Sequence, residues 1–126
     1  MIKVVNEPIV PASLLEVLDR EGAGSMVFHV GIVKSDPEGK KSRGISLEAG
    51  PDAESELKEI EDRVRSNYDV VDIVLVRRMG DLDIGDFILF AAASANDRVN
   101  AFGACRELVE GCKKMKALKK TEHLVE

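Results

Sequence analysis

Residues 85–126 read GDFILFAAASANDRVNAFGACRELVEGCKKMKALKKTEHLVE, and this stretch decides the fold. Residues 87–93 are apolar and carry no charge, which is typical of a strand buried on both faces. Asn96 follows, and its side-chain oxygen can accept a hydrogen bond from the free N–H groups of a first helical turn. Asp97 comes next, where the positive end of a helix favours an anion. The stretch therefore predicts a buried strand, a cap at Asn96 and a helix.

The predicted helix has one apolar face and one cationic column. Its apolar residues recur at steps of three or four, as in a stripe that faces a core: Ala101, Cys105, Leu108, Cys112 and Met115. Arg106, Lys113 and Lys120 recur at steps of seven, close to two helical turns, and predict a second column. From Arg106 to Lys120 there are six basic and two acidic residues, a balance of +4 in a chain of net charge −5.

Two interpretations of this cationic helix end stay open. The basic side chains can bind an anionic ligand. They can also complement the negative end of the helix dipole, without any ligand. Charge alone favours the second interpretation.

The rest of the chain alternates short strands with two further helices. Strands are predicted at residues 2–5, 25–34, 45–48, 70–77 and 124–125, with a glycine- and aspartate-rich turn at 80–85. Helices are predicted at 12–20 and from Asp52, a candidate N-cap, with Leu57, Ile60 and Val64 on the buried stripe of the second. Neighbouring strands without a helix between them pair antiparallel. We therefore predict a single α+β domain with a mainly antiparallel sheet and about three helices.

Composition and patterning exclude several classes of function. No apolar run is long enough to span a bilayer, and the N-terminus lacks the pattern of a signal peptide, so we expect a cytoplasmic protein without membrane contact. Nucleic-acid binding is disfavoured, because the net charge of −5 repels phosphates and the four Phe and one Tyr are few for base stacking. Cys105 and Cys112 lie two turns apart, about 10 Å along a helix, which is too far for a disulfide or a shared zinc ion. We expect buried thiols there and no metal site.

Two further features have structural interpretations. His29 lies in the middle of the strand predicted at 25–34, where a packed or hydrogen-bonded structural histidine is favoured over a catalyst. The polar loop that follows carries Lys40, Lys41 and Arg43. A solvated connection is favoured there over a flap that closes on an anion.

A set of motifs in the second half of the chain resembles a known family. The motifs are Met79-Gly80-Asp81-Leu82-Asp83-Ile84-Gly85-Asp86, Ser94-Ala95, Arg98, Ala101-Phe102, Lys113 and Lys120-Thr121-Glu122. In type and spacing they resemble the large, catalytic subunit of molybdopterin synthase. Two earlier segments, GAGSMVFHVGIVK and ISLEAGPDA, resemble an early strand and a helix-leading segment of the same family.

The resemblance implies a fold, a reaction and partners. It implies an α/β-hammerhead-like fold and a sulfurtransferase that adds two sulfur atoms to a cyclic pyranopterin monophosphate, giving molybdopterin. The sulfur would arrive as a thiocarboxylate at the C-terminus of a small ubiquitin-fold subunit, whose tail threads into a pocket of the large subunit. Two large subunits would form a central homodimer with one small subunit at each end, a heterotetramer. The molybdenum or tungsten need not bind this subunit, and we expect no cofactor of its own.

The resemblance also assigns roles to residues. Lys113 and Lys120 take the places of the family's two active-site lysines. The substrate-binding positions that it implies are Ile32, Val33, Lys34, Asp97, Arg98, Lys120, Thr121 and Glu122. Lys34 stands where the family usually has Arg, and Asp97 stands where it often has His.

One departure from the family affects the predicted structure between the two lysines. The family usually has Pro, Phe and Trp there, whereas this chain has Lys114-Met115-Lys116-Ala117-Leu118-Lys119. Because a proline would end the helix, its absence predicts that the helix continues toward Lys120. The departures leave a second hypothesis open, a non-catalytic paralogue that binds a ubiquitin-fold partner or a phosphorylated small molecule without turnover.

Overall fold

The computed structural model describes residues 1–34 and 42–124. For Ser42, Arg43 and residues 122–124 it describes the backbone only. Lys40, Lys41 and the second residue of the strand predicted at 124–125 lie outside the described residues. The described part contains three helices, α1 (Pro11–Val17), α2 (Ala53–Asn67) and α3 (Arg98–Lys113). Its strands are β1 (Ile2–Val5), β2 (Ser25–Ile32), β3 (Ser42–Ala49), β4 (Asp72–Arg78), β5 (Gly80–Asp83), β6 (Phe87–Ala95) and β7 (Leu118–Leu124).

A four-stranded sheet forms the centre of the fold. Its strand order is β1-β4-β6-β2, with β1 parallel to β4 and the other pairs antiparallel. Helices α2 and α3 cover one face, where Leu57, Leu75 and Leu108 are fully buried together. Helix α1 lies on the other face over Phe90. Burying each of these leucines stabilises the fold by roughly 1.5–3 kcal/mol.

A second, three-stranded sheet carries the end of the chain. Its order is β5-β3-β7, and both pairs are antiparallel. The buried side chains of this sheet and the segments beside it form a small core: Val33, Ile45, Leu47, Met79 and Leu82. The prediction of an α+β fold with mainly antiparallel sheets and three helices is confirmed.

Three predictions about helix caps and bounds differ, wholly or in part, from the structure. Strand β6 continues to Ala95, so Asn96 lies in the turn and Asp97 is the N-cap of α3, where its carboxylate accepts from the Asn100 N–H at 2.9 Å. Asp52 does stand at the N-cap position of α2, but its side chain makes no capping hydrogen bond. The first helix spans residues 11–17 rather than 12–20, because Leu18 is already extended.

The predictions for the turn at 80–85 and for the end of the chain were wrong in part. Residues 80–83 form β5, which pairs with β3, although Gly80 and Gly85 have the positive φ angles expected of turn glycines. Helix α3 ends at Lys113 and does not continue toward Lys120. The final strand is much longer than residues 124–125, since β7 begins at Leu118. None of the described helices is long and apolar enough to cross a bilayer.

Candidate functional site

Lys113 is the last residue of α3 and lies exposed at the rim of an open hollow of about 370 Å³. The hollow lies between α3 and the neighbouring strand β2. Arg106 and Lys113 give it cationic side chains, while Phe102 and Phe28 give it an apolar wall. Two members of the predicted cationic column thus share one hollow, as expected from their spacing of two turns.

Lys120 does not belong to that column. It lies in β7, where its backbone pairs with Leu47 of β3, and its side chain is exposed. Residues 114–117 connect it to the end of α3. The two predicted catalytic lysines therefore stand on a helix end and on a strand, and residues 114–117 set the distance between them. Thr121 and Glu122 follow in β7 opposite Ser46 and Ile45.

Lys34 lies at the same end of the main sheet as Lys113. It follows β2, and the adjacent Val33 N–H donates to the Asp86 carbonyl at 2.9 Å, just before β6 begins. Since α3 starts where β6 ends and packs back along the sheet, the end of α3 returns toward the start of β6. Lys34 and Lys113, both exposed, are therefore brought to one end of the molecule.

The two residues before Lys34 differ from each other in their surroundings. The Val33 side chain is 4% exposed and packs in the core of the small sheet, and its carbonyl accepts from the Gly85 N–H at 2.8 Å. Ile32 is 56% exposed and open to a ligand or a partner. Of this predicted substrate-binding segment, Ile32 and Lys34 offer accessible side chains.

Asp97 and Arg98 lie at the opposite end of α3. The Asn100 backbone N–H and side-chain amide donate to the Asp97 carboxylate and lower its pKa. Arg98 is exposed and begins the helix. Because α3 has 16 residues, Arg98 and Lys113 are separated by about 22 Å along its axis. One chain alone does not bring Arg98 to Lys34 and Lys113.

The structure corrects the interpretation of His29. Its side chain is exposed and lines the same hollow as Lys113, rather than packing in the interior. β2 is an edge strand of the main sheet, and the place of a strand in a sheet is not readable from that strand alone. The hollow thus contains an imidazole for which the sequence had favoured a packed or hydrogen-bonded structural role.

The two cysteines are buried, as predicted. Burial raises the pKa of the Cys105 thiol to about 11. Burial also raises the pKa of the Cys112 thiol to about 11, against an opposing effect of the neighbouring Arg77 guanidinium. Both remain thiols at neutral pH, and a thiol is a poor nucleophile compared with a thiolate. Among the described residues, no group of three His, Cys, Asp or Glu side chains is placed to hold a metal ion.

Comparison with known proteins gives one consistent family. The family model described as MoaE protein matches residues 4–115. The molybdopterin synthase catalytic subunit of Thermoplasma volcanium is 25% identical over 113 residues, which cover 89% of this chain and 82% of the relative. The protein of the same name from Staphylococcus aureus is 29% identical over 121 residues, 95% of this chain and 82% of the relative.

Solved structures agree with the fold. The crystal structure of molybdopterin synthase from Staphylococcus aureus superposes with a TM-score of 0.90 at 28% identity, over 98% of this chain and 90% of that chain. A protein–protein complex of subunits 1 and 2 of the molybdopterin-converting factor from Helicobacter pylori contains a chain with a TM-score of 0.73 at 18% identity, covering 96% of this chain and 83% of that one. The second likeness concerns the fold alone.

Proposed function

This chain belongs to the MoaE protein family and serves molybdenum cofactor biosynthesis, and we propose that it does so as the sulfur-transferring catalytic subunit of a molybdopterin synthase. The observation that carries the proposal is the position of Lys113, exposed beside a hollow at the end of the molecule where Lys34 also lies. Its substrate is a cyclic pyranopterin monophosphate. Its sulfur donor is the thiocarboxylate of a small ubiquitin-fold subunit.

Lys113 and Lys120 act on the charge that develops during sulfur transfer. The thiocarboxylate sulfur bonds to a carbon of the precursor and displaces an oxygen substituent there. Water then attacks the acyl carbon, the acyl C–S bond breaks, the sulfur stays on the precursor and the carrier leaves as a carboxylate. Negative charge develops on the acyl oxygen and on the departing sulfur, and a nearby ammonium stabilises that charge or protonates the leaving sulfur. Lys114, Lys116 and Lys119 lie between the two lysines in sequence and add positive charge to this segment. An anionic tail is therefore attracted to this end of the chain and oriented by it.

The phosphate of the substrate needs fixed cations. Lys34 supplies a point charge, and Arg98 supplies a planar fork that can bind two phosphate oxygens at once. Because Arg98 and Lys113 of one chain are about 22 Å apart along α3, both can contact one substrate only when they come from different copies. The site is therefore completed by a homodimer.

The edge formed by β2 is suited to that homodimer. β2 ends the strand order of the main sheet, so its outer side faces no other strand of the described chain. Phe28, Val99 and Phe102 are large apolar residues left 46%, 76% and 61% exposed on β2 and the adjoining α3. A two-fold axis that runs perpendicular to β2, beside its middle, makes the two α3 helices antiparallel and turns the Arg98 end of each helix toward the end of the partner helix that carries Lys113.

The partner and the location also belong to the proposal. The Helicobacter pylori structure is a complex of two subunits of the molybdopterin-converting factor, and its likeness in fold supports a small-subunit partner for this chain. With two large and two small chains the assembly is a heterotetramer. The expectation of a cytoplasmic protein stays a prediction.

Lys113→Ala tests the enzymatic proposal. The purified chain is mixed with a thiocarboxylated ubiquitin-fold carrier and the cyclic precursor, and dithiolene product is measured. Loss of an acid–base or charge-stabilising group should lower the rate by a factor of about 10² or more. Lys3→Ala, an exposed lysine on β1, is the control and should retain the wild-type rate.

Either of two results would overturn the proposal: no product from the wild type, or equal rates for the wild type and Lys113→Ala. A carrier complex that forms with both proteins and never yields product would favour the non-catalytic binding module instead.

A further inference from the structure

We infer that Glu56 is a positioning residue for the two catalytic lysines, because its carboxylate ends helix α3 at Lys113 and turns the chain toward β7. The inference rests on the proposed sulfur transfer, since it concerns the separation of Lys113 and Lys120. Glu56 belongs to the first turns of α2 and is distant in sequence from both lysines.

The Glu56 carboxylate binds the connection between α3 and β7 directly. The Lys116 N–H donates to its two oxygens at 3.2 and 3.0 Å, and the Ala117 N–H donates to Oε1. On the other side of the connection the Ala117 carbonyl accepts from the Gly50 N–H at 2.6 Å. Ala117 is therefore held through both its N–H and its carbonyl.

These two donors are the ones that a longer helix would use. In a continuing α-helix the Lys116 N–H would bond to the Cys112 carbonyl and the Ala117 N–H to the Lys113 carbonyl. The structure instead has tighter terminal bonds, from Lys114 N–H to the Gly111 carbonyl at 3.1 Å and from Met115 N–H to the Cys112 carbonyl at 3.3 Å. Glu56 then takes the next two donors, so the helix cannot propagate.

No local residue explains this helix end. Residues 114–119 are Lys, Met, Lys, Ala, Leu and Lys, which are among the strongest helix formers. The segment contains neither proline nor glycine, and the C-cap Lys114 has a φ of −99°, outside the left-handed conformation of a glycine cap. The stop signal is thus supplied by another helix.

The position of the stop determines where Lys120 lies. If α3 continued, Lys120 would stand two turns above Lys113 on the helix, and β7 would lose its first residues from the small sheet. In the structure Leu118 already pairs with Ala49, which fixes Lys120 in β7. A displacement of one catalytic group by about 1 Å can cost a factor of 10² in rate.

The test uses Glu56→Ala, Glu56→Gln and the control Glu59→Ala in the full chain. Glu59 is an exposed carboxylate one turn further along α2. Backbone chemical shifts of residues 114–118 should become helical in Glu56→Ala. They should change less in Glu56→Gln, which keeps one acceptor oxygen, and stay unchanged in Glu59→Ala. The single-turnover rate with saturating carrier and precursor should fall at least about tenfold in Glu56→Ala and stay at the wild-type value in Glu59→Ala.

The two measurements separate this inference from the proposed function. Unchanged shifts in Glu56→Ala, or helical shifts with an unchanged rate, would overturn the positioning role while leaving sulfur transfer intact. If the wild type makes no product, the proposed sulfur transfer is wrong, and a catalytic positioning role for Glu56 is wrong as well. The backbone chemical shifts of residues 114–118 still decide whether Glu56 ends the helix. If Glu56→Ala does not fold, the same comparison is made with Glu56→Gln.

Discussion

The two ends of helix α3 are held in different ways. At its start, Asp97 accepts a hydrogen bond from Asn100, three residues away in the same turn. At its end, Glu56 accepts from Lys116, 60 residues away in sequence. The first hydrogen bond is local in sequence, whereas the second is a tertiary contact between helix α2 and the chain that follows α3. Each end also carries a different part of the proposed site, Arg98 at the start and Lys113 at the end.

The largest expected effect comes from the separation of these two ends. Arg98→Ala and Lys113→Ala should each be nearly inactive alone. When the two variants are coexpressed, half of the dimers should be mixed, and each mixed dimer contains one site with both wild-type residues. Activity should therefore return to about a quarter of the wild-type value, as follows from an isologous dimer with two shared sites.

Sedimentation of each variant alone provides the control, since both must still dimerise. A mixture as inactive as its parents would show that Arg98 and Lys113 of different copies do not share a site. An active Arg98→Ala variant would remove Arg98 from the site altogether.

The hydrogen bonds to Glu56 that end α3 can be replaced by a proline within the connection that follows the helix. This change gives the next largest expected effect. Ala117→Pro puts a proline after Lys116, where it disfavours the helical conformation of Lys116 and cannot continue the helix. In the Glu56→Ala background this proline should restore non-helical shifts at residues 114–118. It should also recover most of the rate that is lost in Glu56→Ala.

Ala117→Pro alone serves as the reference, because it keeps the Lys116 bond to Glu56. If the double variant regains the non-helical connection but not the rate, Glu56 contributes more than a helix stop. If the connection stays helical, the proline argument is wrong.

These two ends also explain what could be predicted from the sequence. The apolar run before Asn96 and the stripe through Leu108 are local patterns, and they correctly predicted that a buried strand and a helix lie there. The end of α3 was missed because helix propensity favours continuation and no local residue opposes it. The opposing group, Glu56, reads in sequence only as an acidic residue near a helix start.

The prediction of the candidate site was limited in the same way, because local patterns do not show tertiary placement. Family spacing selected Lys113 and Lys120, but a spacing of seven residues cannot distinguish one helix from a helix followed by a strand. The exposure of His29 was not predicted, because the burial of β2 side chains depends on the position of β2 at the edge of the sheet. The distance between Arg98 and Lys113 follows from helix length once both are placed on α3, and the proposed homodimer rests on that distance.

The smallest expected effect concerns the local cap at the start of α3. Hydrogen bonds from Asn100 lower the pKa of Asp97 in the folded protein. A lowered pKa means that the charged carboxylate stabilises the fold above its unfolded pKa, and that this contribution is lost as the pH falls through the folded pKa. Asp97→Asn keeps a capping oxygen but has no such titration.

Thermal unfolding of the wild type and of Asp97→Asn between neutral pH and about pH 3 measures this contribution. The melting temperature of the wild type should fall relative to that of Asp97→Asn on acidification. Asp52→Asn at the start of α2 is the matched control, since Asp52 makes no side-chain cap bond there. Its melting temperature should follow that of the wild type across the range. If Asp97→Asn and the wild type change in parallel, the charge of Asp97 is irrelevant, and the start of α3 is held by its backbone geometry alone.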